Sequence, residues 1–158
     1  MVALVVETEN NMEQLIDQMK KILAESYAFY LKTHYYHWNV EDEDFPMWHT
    51  FFEEIYTEVY GSVDSIAEHI RQIGGYAPGS FGRFRELSTI QDETGLPEVP
   101  QMLQQLIADN QTVIFTLHAA YKLAENAGEI GLSNFIQDRE AAHKKHAWML
   151  KACLGKQK

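Results

Sequence analysis

Cysteine occurs once in the 158 residues, at Cys153, which rules out an intrachain disulfide and any thiolate-rich metal site. Long apolar runs are missing too. Lys, Asp, Glu or His interrupts every candidate stretch, so none approaches the roughly 18 residues that a membrane span needs. The run from Val2 to Val6 has no basic residue before it and is too brief for the apolar segment of a secretory signal. A soluble, cytoplasmic protein with no membrane partner is expected. Positive charge is scarce: 13 Lys and Arg against 23 Asp and Glu give a formal charge of −10. That balance disfavours nucleic acid and membrane surfaces, both anionic. The 46% hydrophobic and 12% aromatic content is that of a globular chain, and the length suits one domain over residues 1–158.

The shortage of base is concentrated in one place. From Thr33 to Ile70 there is no Lys or Arg, yet the stretch carries nine acids and four of the seven histidines, His34, His37, His49 and His69. A solvated helix face usually intersperses Lys to form i,i+4 pairs with its acids. Acids mixed with imidazoles and left without Lys are instead what a divalent-cation site uses.

Apolar spacings of three and four mark one long helix from about Asn10 to His37. A second is expected after an N-cap at Asp44, with Pro46 in its first turn, and a stop at Gly74 and Gly75. Residues 76–100 hold three of the four prolines and three glycines, which predicts a long connection with a short helix at Phe81 to Leu87. Pro100 opens a third long helix that ends near Gly128, and a fourth follows Gly131 and stops at Gly155. The fold class is all-α: a four-helix bundle with a long crossover, containing a short helix, between helices 2 and 3. This is ferritin-like connectivity.

At 100° per residue, Trp48, Phe52, Ile55, Val59, Val63, Ile66 and Ile70 fall in a stripe roughly 80° wide, the core face of the second helix. His49, Glu53, Asp64 and Glu68 fall roughly 80–180° away and point out of their own bundle. Di-iron enzymes of this connectivity project Glu and Glu-x-x-His inward from all four helices. Here only Glu140 and His143 match Glu-x-x-His, and with Lys144 beside Glu140 they read as an ordinary polar face. A bundle-centred di-iron oxygenase is poorly supported. Residues 49 and 64 lie about 22 Å apart at 1.5 Å rise per residue, too far to share a metal within one chain. Two copies packed antiparallel, with a two-fold axis near Tyr56 and Thr57, bring His49 and Glu53 of one chain opposite Asp64 and Glu68 of the other. Tyr60 and Gly61 lie between the pairs; the former supplies apolar area, and the latter lets backbones approach.

The run His34, Tyr35, Tyr36, His37, Trp38, Asn39, Val40, then Phe45, His49, Phe52, Glu53, Tyr56, and then Asp64, Ala67 and Glu68 resembles the signature of the Dps mini-ferritins. The resemblance passes Gly74 and Gly75 and resumes at His143, Lys145, His146, Trp148, Leu154 and Gly155, so it covers nearly the whole chain. It implies a homo-oligomer, a hollow dodecamer of four-helix subunits, that oxidises Fe(II) at sites shared across two-fold interfaces. The implied metal ligands are His37 and His49 from one chain and Asp64 and Glu68 from its mate, with Glu53 an auxiliary carboxylate. The implied activity is that of a ferroxidase, with hydrogen peroxide as oxidant and oxygen slower, followed by storage of ferric mineral and protection against oxidative damage. Iron is the implied metal, with zinc as a substitute. A redox-inactive scaffold or metal-binding oligomer is the alternative.

Trp38, next to His37, is a candidate electron relay. His34 and His69 read as structural or supporting, and His118 and His146 as packing residues on mainly apolar helices. Glu125 and Glu129 match acids that line three-fold pores in the family, whereas Ile130 and Asn134 stand where acids are common. DNA binding is not expected. Residues 1–19 hold four acids and no base, and Lys151, Lys156 and Lys158 form only a short basic patch.

Overall fold

The computed structural model describes the backbone of residues 2–155 and the side chains of residues 10–155. The side chains of Val2 to Val6, and Lys156 and Lys158, lie outside the described residues. The elements are α1 (Val2–Asn39), α2 (Phe45–Gln72), α3 (Phe81–Leu87), α4 (Val99–Asn126) and α5 (Ile130–Cys153). Among the described residues there is no strand, and no helix is long and apolar enough to cross a membrane. The expected four-helix bundle with a helix-bearing crossover is what the chain forms.

Two boundaries differ from expectation. α1 begins at Val2 rather than near Asn10, since neither Gly nor Pro interrupts the intervening residues. α5 begins at Ile130, so Gly131 lies inside it; the positive φ of 72° that turns the chain between α4 and α5 belongs to Gly128. The start of α2 falls at Asp44 as read, but the Asp44 side chain makes no cap. Its backbone carbonyl accepts from Met47 and Trp48, while the Asp42 carboxylate accepts the Asp44 N–H. Both carboxylates sit where the α2 dipole favours negative charge.

One cluster fills the interior, contributed by every long helix. Leu15, Met19, Ile22 and Phe29 of α1 pack with Phe52, Ile55, Val59, Ile66 and Ile70 of α2, with Leu103, Leu106 and Val113 of α4, and with Ile136 and Leu150 of α5. Trp48 and Val63, at the edge of the α2 stripe, are half-buried against it. α1 and α4 are also joined by polar ties: Gln18 donates to the Thr116 carbonyl at 3.3 Å, and Lys32 pairs with Asp109 at 2.5 Å.

The crossover is held down by α1. Thr89 donates to the buried Glu25 carboxylate at 2.9 Å, Tyr35 to the Gly95 carbonyl at 2.6 Å, and Tyr36 to Glu93 at 3.2 Å. Gln105 of α4 donates to the same Glu93 oxygen at 2.9 Å. Tyr35 and Tyr36 immediately precede His37, so the ties that seat the crossover also fix the last turn of α1.

α2 ends in a full Schellman motif. Gly74 N–H bonds the Arg71 carbonyl at 3.1 Å and Gly75 N–H the Ile70 carbonyl at 2.9 Å, with Gly74 at φ 90°. Gly75 is buried, and a Cβ there would stand 2.6 Å from the Ile16 side chain. Gly74→Ala should destabilise by about 1 kcal/mol through its backbone alone. Gly75→Ala should cost more, about 1–3 kcal/mol, because α1 must shift. Urea unfolding of both variants at matched protein concentration checks the order.

Candidate metal centre

His37 ends α1 and His49 lies in the second turn of α2, so the tight hairpin between the helices brings them together. His37 Nδ1 donates to the His49 carbonyl at 2.7 Å, and His49 Nδ1 donates to the His37 carbonyl at 2.8 Å. The rings stack at 3.7 Å between centroids, inclined by 19°. A carbonyl can only accept, so each Nδ1 carries a proton, and in the neutral ring each Nε2 keeps a free lone pair. Metal-binding imidazoles are commonly held this way, since the bond fixes both tautomer and ring direction.

Glu53 follows His49 by one turn and is exposed. Asp64 and Glu68 are exposed on the same helix farther on. Among the described residues, no Lys or Arg pairs with any of these three carboxylates. Nor, among the described residues of one chain, do three or more His, Cys, Asp or Glu groups converge to hold a metal. The structure therefore joins His37 to His49 but leaves Asp64 and Glu68 apart from them, as the rise of a helix requires.

Aromatic rings surround the imidazole pair. Tyr56 meets His37 edge-on at 5.1 Å and stacks on His34 at 3.9 Å. Trp38, 56% exposed, lies 4.0 Å from the His34 ring. His34 Nδ1 is 3.2 Å from the Tyr30 hydroxyl. Burial, and then the neighbouring His37, push the His34 pKa below its ordinary value, against Glu53, which raises it. His69 packs on Phe135 of α5, centroids 4.3 Å apart. Glu125 accepts from Tyr121 at 2.5 Å, and Glu129 occupies the N-cap position of α5 beside Ile130, which is 75% exposed.

Inside the bundle lies a polar cluster that sequence reasoning missed. His143, expected on a polar face, is buried and hydrogen-bonded; His146 is buried, as a packing residue should be, but is also hydrogen-bonded. Glu58 of α2 receives both Arg139 guanidinium nitrogens and, at 2.7 Å, His146 Nε2. His143 Nδ1 is 2.7 Å from the Asn110 side-chain oxygen, and Asn110 donates to the His143 carbonyl at 2.8 Å. The signal was available: Arg139, His143 and His146 recur at helical spacing on the α5 core face. Glu140 does pair with Lys144, at 2.9 Å, as an i,i+4 surface pair. His118, expected to pack, is exposed. With Arg139 in its midst, this cluster is already charge-compensated and has no need of a metal cation.

Burial pushes the Glu58 carboxyl up, but hydrogen bonds from His146 and Arg139 and the guanidinium charge outweigh it and hold the group well below the usual carboxylate range. Desolvation, then Arg139 and His146, push His143 down to about 3. Between that value and the ordinary histidine range, the unfolded chain binds a proton that the folded chain refuses. Stability should therefore rise with pH across that interval, by up to about 1.4 kcal/mol per pH unit from this one group. The Glu58 contribution is present above the ordinary carboxylate pKa and is lost only as pH falls below it. His143→Gln should flatten the slope of unfolding free energy between about pH 6 and pH 4, read from urea titrations at fixed protein concentration.

Four long helices in this order, a helix-bearing crossover and an outward imidazole–carboxylate face define a ferritin-like protein. A family model for ferritin, described as a ferritin-like domain, matches residues 16–158. The chain is 30% identical over 147 residues to the DNA protection during starvation protein of Brevibacillus brevis, covering 92% of this chain and 99% of the relative. The X-ray structure of Dps from Thermosynechococcus elongatus superposes with a TM-score of 0.92 at 28% identity, over 96% of each chain. A Dps structure from Vibrio cholerae O1, described as a member of a broad superfamily of ferritin-like diiron-carboxylate proteins, gives 0.87 at 28% identity, covering 92% of this chain and 91% of that one. The chain belongs to the Dps family.

Proposed function

We propose that this protein is an iron-storing mini-ferritin whose subunits, assembled as a dodecamer, oxidise Fe(II) with hydrogen peroxide and keep the ferric product as mineral inside the shell. The observation that carries this reading is the reciprocal His37–His49 clamp, which presents two free Nε2 atoms beside the exposed Glu53. Membership of a family that includes a structure described as diiron-carboxylate adds support.

His37, His49 and Glu53 form one half of each site; Asp64 and Glu68 of the partner subunit form the other. Imidazole nitrogens and carboxylate oxygens both suit Fe(II), and the hard anionic oxygens favour Fe(III) as it forms. When two Fe(II) ions each give one electron, peroxide accepts both, its O–O bond breaks, and water is formed without hydroxyl radical. Glu125 and Glu129, at the α4–α5 turn, are candidates to line the iron entry path, and cations are drawn along such acid-lined openings.

An intersubunit site makes a prediction that an intrachain site does not. His49→Ala and Asp64→Ala oligomers should each lose iron oxidation by about a hundredfold or more, judged against the tenfold to hundredfold cost of losing mere ligand support. Refolded together in equal amounts, they should regain about a quarter of wild-type sites, since each mixed dimer keeps one intact site and loses the other. Ferric absorbance after anaerobic Fe(II) loading and peroxide addition reads this directly. If the mixture is as inactive as its components, the two halves do not come from different chains.

The acidic shell should leave DNA unbound. Although its Brevibacillus brevis relative is named for DNA protection, this chain carries a net charge of −10 and no base in its first 19 residues. A gel shift at neutral pH and moderate salt should show plasmid DNA unretarded.

A further inference from the structure

The aromatic side chains around the imidazole pair form a continuous path. From His37 the next rings are Tyr56 at 5.1 Å and His34 at 5.7 Å, and those two stack on each other at 3.9 Å. His34 leads to Tyr30 at 5.5 Å, and Tyr30 in turn meets Tyr60 at 4.6 Å and Tyr27 at 5.4 Å. Tyr30 is thus the hub, touching three other tyrosines as well as His34.

One feature of Tyr30 sets it apart. Its hydroxyl lies 3.2 Å from His34 Nδ1, and as the more acidic group the phenol is the donor. The hydroxyls of Tyr27, Tyr56 and Tyr60 have no such partner among the described residues. Removing an electron from a phenol makes its proton strongly acidic, so a tyrosine is oxidised readily only where a base can take that proton in the same step. A neutral imidazole is such a base. Trp38 lies 4.0 Å from the same His34 ring but is more than half exposed and makes no hydrogen bond to a base among the described residues.

We propose that Tyr30 and His34 are a proton-coupled electron donor that supplies the second electron to peroxide when the ferroxidase site holds a single Fe(II). The pair deepens the ferroxidase reading above and rests on it. Fe(II) gives one electron and Tyr30 the other; the peroxide O–O bond breaks and both oxygens leave as hydroxide. The phenolic proton passes to His34 Nδ1. The products are Fe(III), a neutral Tyr30 radical, two hydroxide ions and an imidazolium, which later returns its proton to one hydroxide. Without that second electron, one Fe(II) would reduce peroxide to hydroxide and free hydroxyl radical. The pair therefore protects at low iron occupancy, where two metal electrons are not at hand.

The test loads the oligomer anaerobically with one Fe(II) per site, adds peroxide, and freezes samples for electron paramagnetic resonance. Wild type should give a neutral tyrosyl signal that narrows when the protein is grown on ring-deuterated tyrosine. Tyr30→Phe should lose it and release more spin-trapped hydroxyl radical at one Fe(II) per site, while matching wild type at two. His34→Gln, which keeps Tyr30, should form the radical more slowly and lose the solvent deuterium effect on its rate; Trp38→Phe should behave as wild type. A tyrosyl signal that survives Tyr30→Phe, or a radical that disappears in Trp38→Phe alone, overturns the assignment. Photo-oxidation of the iron-free protein with a ruthenium sensitiser separates the two readings. A Tyr30 radical there, with no iron oxidation in the first experiment, keeps the pair and removes the ferroxidase; iron oxidation with no Tyr30 radical in either does the reverse.

Discussion

Each of two imidazoles hydrogen-bonds the backbone carbonyl of the other, and the geometry of the α1–α2 hairpin follows from that exchange. In net stability the bonds are modest, about 1 kcal/mol apiece. Their larger effect is orientation. They lock the end of one helix to the start of the next, remove the Nδ1 atoms from play, and leave each Nε2 as the free nitrogen of its ring. The same turn of α1 carries Tyr35 and Tyr36, which hold the crossover through Gly95 and Glu93. Disturbing the crossover would therefore loosen the turn that carries His37.

Charge is handled in opposite ways inside and outside the bundle. In the interior, each acid that spans two helices meets a base: Glu58 meets Arg139 and His146, and Asp109 meets Lys32. Taking an unpaired carboxylate out of water is costly, so a buried acid without its base would neutralise or destabilise the fold. Glu53, Asp64 and Glu68 stay in water and need no base for solubility. Their lack of Lys or Arg partners keeps them available to a cation, which would otherwise have to displace an ammonium or guanidinium group. A surface helix that spends three carboxylates this way forgoes a few tenths of a kcal/mol per absent i,i+4 pair.

Much of this was legible in the sequence because helical periodicity is strong where a helix has one dry face. The α2 stripe separated Phe52 and Ile66 from Glu53 and Glu68 by phase alone, and exposure agrees. Gly74 and Gly75 marked their stop because few other residues accept the positive φ that a Schellman turn demands at Gly74, and a side chain at Gly75 would strike Ile16. α5 was harder to read. Its core face is studded with Arg139, His143 and His146, so a rule that equates polar with exposed misplaces them; their partners on other helices, Glu58 of α2 and Asn110 of α4, explain their burial. Likewise, no local pattern could reveal that His37 and His49 bond each other's carbonyls, because that contact depends on how the hairpin closes.

The separation of the two ligand pairs along α2 has a thermodynamic consequence on the intersubunit reading. Among the described residues of one chain, no three His, Cys, Asp or Glu groups converge on one point, so each half presents an incomplete donor set. Neither half on a lone chain would compete well with water for Fe(II). Only a docked pair of chains offers the full donor set, so iron binds the associated state in preference to the separated one. Anything that binds one state preferentially shifts the equilibrium toward it by mass action. Iron would then stabilise the interface that binds it, and redox chemistry would be confined to assembled protein, where the product can be enclosed rather than released.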